Sequence, residues 1–295
     1  MNRIIYATDF SVSSIPALKY AYELSQKADA KLVVLHIYEV PTIWNSPTEP
    51  GTFQDIDHDT REVNINQLKD FVNENLDSAD QNAIEFEAVG NAKTADGIIG
   101  VANDQNADLV VMGTKGKSMV REILMGSVAK RMIKESACPV ICIPPDYQYK
   151  AAKKVVYASD LESDEVPAIH FTSALAGLFD AKTFILHVTE EDRGKEKENM
   201  KEFEANLNFE DMAELVYGIT DSANIHKYLT EYIKENEIDM IAMFERHESR
   251  FYDVIFGKDE VEQMEAKINI PFMTFNKRSL EHISKKTQIT TKLNK

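Results

Sequence analysis

Short, continuous apolar runs alternate with amphipathic stretches along the first half of the chain. The apolar runs lie near residues 2–7, 32–38, 84–89, 108–112 and 139–143. Runs of this length are typical of β-strands that are covered on both faces. Helical spacing begins after Ser13 or Ser14, where Pro16 favours a helix start, and recurs near 61–78, 92–105 and 126–136. Alternating strands and helices predict an α/β fold with a doubly wound parallel sheet.

The second half of the chain repeats this pattern. Residues 3–9 (RIIYATD) correspond to residues 154–160 (KVVYASD), 151 positions later, and residues 31–37 correspond to 182–188 at the same offset. Further on, residues 108–112 correspond to 239–243 at an offset of only 131. We therefore predict two tandem copies of one fold, with five strands each. Helices of the second copy are expected near 164–179, 196–208, 221–236 and 257–267.

The repeat also sets the predicted domain boundaries. We expect one domain at residues 1–147, a second at 152–276 and a basic C-terminal tail at 277–295. The tail carries six Lys or Arg against the single Glu281, and it lacks an apolar pattern, which predicts a flexible segment. The second copy lacks a stretch that in the first holds three prolines and a glycine between residues 41 and 51. That composition predicts a loop or a lid, extending over about 41–60, rather than a helix.

Charge and cysteine content narrow the expected partners and location. The chain of 295 residues has a formal net charge of −16, which disfavours nucleic acid and anionic membranes as partners. A small anion can still bind where backbone dipoles converge. The chain opens on a strand-like run and has no apolar run of membrane-spanning length. Its two cysteines, Cys138 and Cys142, are spaced too widely along a strand to form a disulfide. These features predict a cytoplasmic protein.

Glycines cluster where the fourth strand of the first copy ends. The strand ends at Met112, Gly113 and Gly116 come directly after it, and the next helix opens at Gly126, Ser127 and Val128. Glycines let the backbone approach an anion closely, and the first N–H groups of a helix, here from Gly126 onward, donate to anions in a favourable dipole. The arrangement predicts a phosphate cradle. The alternative is that the glycines only turn the chain, but Gly126-Ser127 after a buried strand favours the cradle.

Three segments of the first copy form a more specific pattern. They are Ala7-Thr8-Asp9-Phe10-Ser11, Leu35-His36-Ile37 at the end of the second strand, and Gly113-x2-Gly116-x9-Gly126-Ser127. In these segments the chain resembles the universal stress protein family, over residues 1–145 well and over 152–276 more loosely. The glycine spacing matches the ATP-binding signature of that family. The resemblance implies two domains of the adenine nucleotide α-hydrolase-like type and an ATP site in the first of them, with or without Mg²⁺ or Mn²⁺.

The resemblance places the phosphates of the nucleotide at the glycine loop and the adenosine near the ends of the first two strands. The binding residues expected from it and from the cradle together are Thr8, Asp9, Ile37, Met112, Gly113, Gly116, Gly126, Ser127 and Val128. For Asp9 two functions stay open and are compatible: accepting hydrogen bonds from ribose or adenine, and capping the helix that comes next. His36 and the matching His187 are expected to bind backbone groups near the strand ends.

The second copy departs from the signature. Phe244 stands at the position of Gly113, His247 at that of Gly116 and Lys258 at that of Ser127, whereas Gly257 and Asp160 keep the residue of the first copy. The bulk of Phe244 and the charge of Glu245 disfavour phosphate at this position. We expect the second copy to be structural and the first to bind the nucleotide.

Three classes of function stay open at this point. We favour an ATP-binding regulatory protein of the stress response, since no residue stands out as a base for phosphoryl transfer. One alternative is an enzyme that uses Asp9 and a bound Mg²⁺ or Mn²⁺, either a slow ATPase or a nucleotide-dependent transferase. The other is a scaffold that binds no nucleotide. The resemblance further implies that the two copies pair through their last strands as an internal pseudo-dimer with a pseudo-twofold axis. A further homodimer and an unknown protein partner are left open.

Overall fold

The computed structural model describes residues 1–40, 50–77, 83–115, 125–189, 203, 207, 213–219, 225–245 and 269–293. The chain divides into two compact units, Met1–Tyr149 and Lys150–Lys295. Each is an α/β unit with parallel strands, which confirms the predicted fold class.

In the first unit, strands and helices alternate. The strands are β1 (Arg3–Ala7), β2 (Lys31–Tyr38), β3 (Ile84–Gly90), β4 (Leu109–Gly113) and β5 (Val140–Ile143). The helices are α1 (Ile15–Ala28), α2 (Pro50–Asn75), α3 (Thr94–Asp104) and α4 (Ser127–Glu135). The strands lie in the order β3-β2-β1-β4-β5, so the direction of winding reverses between β1 and β4.

The second unit has the same plan. Its strands are β6 (Lys154–Ala158), β7 (Lys182–Thr189), β8 (Ala213–Ile219), β9 (Met240–Phe244) and β10 (Phe272–Phe275). Its described helices are α5 (Val166–Gly177), α6 (Ile225–Glu235) and α7 (Lys277–Leu293). The strand order β10-β9-β6-β7-β8 reverses between β6 and β9. The helix predicted near 257–267 lies outside the described residues, as does most of that near 196–208.

The central strands are buried on both faces. Ile4, Ile5 and Tyr6 of β1 are 0% exposed, and successive residues of a strand point to opposite faces. Helices must therefore cover both sides of the sheet, as the continuous apolar runs predict. Cys138 and Cys142 are buried and are not joined by a disulfide. Among the described helices, none is both long and apolar enough to cross a bilayer.

The prediction of a loop or lid over residues 41–60 is wrong for residues 50–60. α2 begins at Pro50, so residues 50–60 are helical, whereas the sequence pattern placed the helix start near residue 61. Proline is well tolerated at the first helical position because the N–H that it lacks would have no helical acceptor there. The third proline therefore starts the helix instead of breaking it. Residues 41–49 lie outside the described residues.

The predicted flexible tail is also wrong, because Lys277–Leu293 forms helix α7. Its start is capped reciprocally: Asn276 Oδ1 accepts the Ser279 N–H at 3.0 Å, and Ser279 Oγ accepts the Asn276 N–H at 2.9 Å. Such a cap satisfies donors that the first helical turn leaves unpaired. Leu280 is only 7% exposed, so the first turn of the helix packs against the unit.

Candidate functional site

The carboxyl ends of β1 and β4 lie side by side where the strand order of the first unit reverses. Ala7 pairs with Met112, so Thr8 and Asp9 leave β1 next to Gly113 at the end of β4. In open α/β sheets, ligands bind in the crevice at such a reversal. We call this crevice the first cleft, and the corresponding one at the ends of β6 and β9 the second cleft.

A tight turn after β1 forms one wall of the first cleft. Thr8 Oγ1 accepts the Phe10 N–H at 3.0 Å, and Asp9 Oδ1 accepts the Ser11 N–H at 3.1 Å. Phe10 has a φ of 61°, a left-handed conformation that non-glycine residues adopt at some energetic cost. Its ring centroid lies 4.3 Å from that of His36, which holds the strained residue in place. The turn therefore keeps Thr8 and Asp9 at the end of β1.

Asp9 and His36 both stabilise this turn. Asp9 Oδ1 also accepts the Ser11 hydroxyl at 2.5 Å, so the carboxylate holds the residue that directly precedes the 3₁₀ turn at Val12–Ser14, before α1 begins at Ile15. His36 Nδ1 donates to the Thr8 carbonyl at 2.8 Å. In the second unit His187 donates to the Ser159 carbonyl at 2.7 Å, which confirms that the matched histidines bind backbone groups.

Serine hydroxyls join this wall to the loop after β4. Ser13 Oγ lies 2.9 Å from Ser11 Oγ and donates to the Lys115 carbonyl at 3.4 Å. Together with the bond from Ser11 to Asp9, these contacts connect the two walls of the first cleft. Neither serine was among the predicted binding residues, although Ser11 belongs to the segment singled out after β1 and the spacing Asp-x-Ser-x-Ser is visible in the chain.

Thr114 fixes the start of α4 beside the end of β4. Its N–H donates to the Ile143 carbonyl at 3.0 Å, and its carbonyl accepts the Gly126 N–H at 2.8 Å. The expectation that the N–H of Gly126 serves an anion is therefore wrong, because that donor is engaged. The first N–H groups of α4, from Ser127 and Val128 onward, have no acceptor within the helix. They are therefore the backbone donors that the start of α4 can offer to an anion.

The two described glycines of the signature differ in their steric surroundings. A Cβ added at Gly126 would lie 3.5 Å from the Thr114 carbonyl, an ordinary contact, and the φ of −67° is open to any residue. A Cβ at Gly113 would lie 3.3 Å from the carbonyls of both Ser13 and Lys115, which is tight. The fold therefore tolerates a side chain at Gly126 better than at Gly113. Gly116 lies outside the described residues.

The remaining predicted residues lie along the same edge of the sheet. Ile37 is near the end of β2, next to β1, and Met112 is in β4; each is 7% exposed. Contact with a ligand would therefore fall mainly on their backbone groups. Thr8 is 8% exposed, whereas Ser127 is exposed at the start of α4.

The second cleft keeps the turn but changes a buried side chain. Leu161 has the φ of 61° seen at Phe10, and its N–H donates to Ser159 Oγ at 2.9 Å. Glu165 stands 151 positions after Ser14 and is only 1% exposed. Its Oε2 accepts the Ser159 hydroxyl at 2.6 Å. Glu165 was not predicted from the sequence, although the offset of the repeat pairs it directly with Ser14.

Carboxylates accumulate at the second cleft. Asp160 and Glu165 come after β6, and Glu245 comes after β9, next to the buried Phe244. The corresponding residues of the first cleft are Asp9, Ser14 and Thr114, at offsets of 151 and 131. Within the described part of the chain, these positions of the second cleft therefore carry three carboxyl groups where those of the first carry one. His247, Gly257 and Lys258 lie outside the described residues. Within the described part of the chain, no group of three or more His, Cys, Asp or Glu is arranged to hold a metal ion.

Comparison with known proteins agrees with this architecture. The family model described as the universal stress protein family matches residues 1–144. A universal stress protein of Methanocaldococcus jannaschii is 31% identical over 147 residues, which are 48% of this chain and 81% of that protein. One of Bacillus subtilis is 28% identical over 48% of this chain and 98% of its own length.

A solved structure extends the likeness of fold to nearly the whole chain. The crystal structure of a universal stress protein from Archaeoglobus fulgidus matches with a TM-score of 0.60 at 18% identity, over 93% of this chain and 96% of that one. At this identity the match bears on the fold alone. With the sequence relatives, it leads to one conclusion: the chain belongs to the universal stress protein family, as a tandem member with two α/β units.

Proposed function

We propose that the protein binds ATP in the first cleft and acts as an ATP-binding regulatory protein. The observation that carries the proposal is the meeting of three features where the strand order reverses. Gly113, the start of α4 and the turn at Asp9 all lie at the carboxyl ends of β1 and β4. Anionic ligands of open α/β sheets bind at this place.

In the proposed complex the phosphates lie over the start of α4. The N–H groups of Ser127 and Val128 donate to phosphate oxygens, and the helix dipole adds the equivalent of about half a positive charge. Gly113 and Gly126 leave room for the phosphates, and Gly116 completes the signature. A Mg²⁺ or Mn²⁺ ion would arrive bound to the phosphates.

Adenosine would lie against the turn after β1. A carboxylate accepts hydrogen bonds from ribose hydroxyls or from the adenine amino group, and Asp9 is half exposed at this position. Because Ser11 engages Asp9 Oδ1, the carboxylate is already oriented before a ligand arrives. Thr8 and the backbone of Ile37 complete the adenosine side.

We propose that the second cleft binds no nucleotide and that the second unit is structural. A triphosphate there would face Asp160, Glu165 and Glu245, where the corresponding described positions of the first cleft hold one acidic residue, Asp9. Each unit charge 4 Å away costs about 4 kcal/mol at the effective dielectric constant of a protein surface. One nucleotide site per chain, beside a second unit that binds no nucleotide, is more consistent with a nucleotide sensor than with an enzyme that has two matched active sites.

We further propose that ATP bound between Gly113 and Ser127 changes the surface that the first unit offers to a protein partner. The hydroxyl contacts through Ser11 and Ser13 would carry the change to the turn after β1. We place the protein in the cytoplasm, since two buried cysteines without a disulfide suit a reducing compartment.

Hydrogen exchange with and without ATP tests the proposal, with the second unit as internal control. We expect slower exchange in residues 7–11 and 113–127 and no change in residues 158–162 and 243–245. Equal protection in both units, or in neither, would refute the proposal. Metal-dependent phosphate release that Asp9→Ala abolishes while ATP binding persists would instead establish the enzymatic alternative.

A further inference from the structure

A cavity of about 740 Å³ lies at the amino edge of the sheet in the second unit. It is at the other end of the strands from the second cleft, because Lys154 begins β6 and Asp239 directly precedes β9. Its volume is in the range of sites for small molecules. Four lysines line it, Lys150, Lys153, Lys154 and Lys234, and we call it the lysine pocket.

The buried carboxylate in this pocket is already neutralised. Asp239 is 6% exposed, and the ammonium of Lys150 lies 2.6 Å from its Oδ1. The backbone N–H groups of Lys153 and Lys154 donate to its Oδ2 at 2.7 and 3.0 Å. Asp239 therefore holds the first residues of β6 and leaves little negative charge to oppose an anion.

A second lysine is engaged at the end of a helix. The ammonium of Lys154 donates to the Asn236 carbonyl at 2.8 Å, directly after α6. This position is the negative end of the helix dipole, so the contact compensates a partial charge. Among the described residues, no ion pair involves Lys153 or Lys234, and both side chains are exposed.

The first unit gives an internal comparison for these two lysines. At offsets of 151 and 131, Lys153 corresponds to Asn2 and Lys234 to Asn103. The structural contact is kept in both units, since the Asn2 N–H donates to Asp108 Oδ2 at 2.6 Å, as that of Lys153 does to Asp239. The fold therefore needs the carboxylate but not the two positive charges, which only the second copy carries.

We propose that the lysine pocket binds a small organic phosphate, independently of the first cleft. Two ammonium groups match the charge of a phosphate monoester, which is about −1.5 to −2 at neutral pH. The apolar part of the ligand packs on Ile233, Ile238 and Ile270, which line the same cavity. Glu237, exposed on its rim, opposes the anion and sets a limit to the affinity.

Lysine acetylation read by mass spectrometry tests the proposal at single residues. The probes are phenyl phosphate, which has an apolar group, and inorganic phosphate, which has none. We expect phenyl phosphate to protect Lys153 and Lys234 at lower concentration than inorganic phosphate, and to leave Lys182 unprotected. Lys182 is exposed at the start of β7 and outside the pocket, and a phosphate in the first cleft does not enter this readout.

Matched variants separate the effect of the lysine pocket on phosphate binding from the effect of the overall charge of the protein. Lys153→Asn with Lys234→Asn installs the residues of the first unit, and Lys182→Asn with Lys277→Asn removes two positive charges elsewhere. In calorimetry with phenyl phosphate, with Gly126→Asp added to every protein to disable the first cleft, we expect the pocket variant to lose at least about tenfold in affinity, and Glu237→Gln to gain. The control should bind like the parent protein. Absence of protection in the parent protein, protection of Lys182 to the same degree, or equal weakening in both double variants would overturn the proposal.

Discussion

Replacing Gly126 by alanine separates what the fold requires from what an anion requires. The added Cβ would lie 3.5 Å from the Thr114 carbonyl, and the backbone φ of −67° suits alanine. Nothing else among the described heavy atoms lies within 4 Å of that position. The methyl group therefore enters the space at the start of α4 where we propose that the phosphates lie.

The expected change in stability is small because two effects oppose each other. Loss of the conformational freedom of glycine in the unfolded chain stabilises by about 0.4–1 kcal/mol. Alanine is a poorer N-cap than glycine, which costs a similar amount, so the net change should stay within about 1 kcal/mol. The effect on ATP should be larger, because a methyl group would keep the phosphates from Ser127 and Val128. We expect at least about tenfold weaker binding, or about 1.4 kcal/mol.

Calorimetry for ATP and urea unfolding for stability measure the two effects on the same variant. Gly100→Ala is the control: it lies in α3, and its added Cβ would have no neighbour within 4 Å. That variant should gain about 0.5–1 kcal/mol in stability and bind ATP normally. If Gly126→Ala bound ATP as tightly as the parent protein, the phosphates would not lie at the start of α4. If it unfolded, the glycine would be structural after all.

Three further predictions concern the second unit. Glu165→Ala leaves the buried hydroxyl of Ser159 without its acceptor and should lower the free energy of unfolding by about 1–3 kcal/mol. A smaller loss in Glu165→Gln would identify the hydrogen bond as the cause, and equal losses in the two variants would contradict this explanation. Burial alone would raise the pKa of Asp239, but hydrogen bonds from Lys150 and from two backbone N–H groups lower the pKa overall. The ionised carboxylate therefore stabilises the fold above the unfolded carboxyl pKa of about 4, and this stabilisation is lost as the pH falls through the lower folded pKa. Asp239→Asn should therefore flatten the acid side of the stability profile in urea unfolding, and an unchanged slope would refute this assignment. Asn276→Ala removes the cap of α7 and should cost about 1 kcal/mol, seen as faster amide exchange in the first turn of that helix but not in α5.

The strands and the repeat were predictable because their signal is local. Buried strands such as β1 and β4 are continuous apolar runs, and the offsets of 151 and 131 relate the two copies without a structure. The position of Asp9 beside Gly113 could be inferred from topology, since the carboxyl ends of parallel strands lie at one edge. These inferences needed only chain order and burial.

Features that depend on the surroundings of a residue in the fold were harder to predict. The segment with three prolines suggested a loop, yet Pro50 starts α2, because a proline breaks or begins a helix according to the residues on its two sides. The basic composition after Lys277 suggested a flexible tail, because the reciprocal cap by Asn276 and Ser279 that starts α7 is not evident from composition. The use of the Gly126 N–H by the Thr114 carbonyl depends on how the loop returns to the sheet, which no local pattern encodes.

The most direct test of the central claim is the stoichiometry of ATP binding to the full chain, by calorimetry on protein freed of bound nucleotide. We predict one site per chain, lost in Gly126→Asp, whose carboxylate would repel the phosphates, and unaffected by Gly177→Ala in the second unit. A second site that persists in the Lys153→Asn, Lys234→Asn variant would mean that the second cleft also accepts the nucleotide. No binding, or a single site that survives Gly126→Asp, would contradict the assignment of ATP to the first cleft.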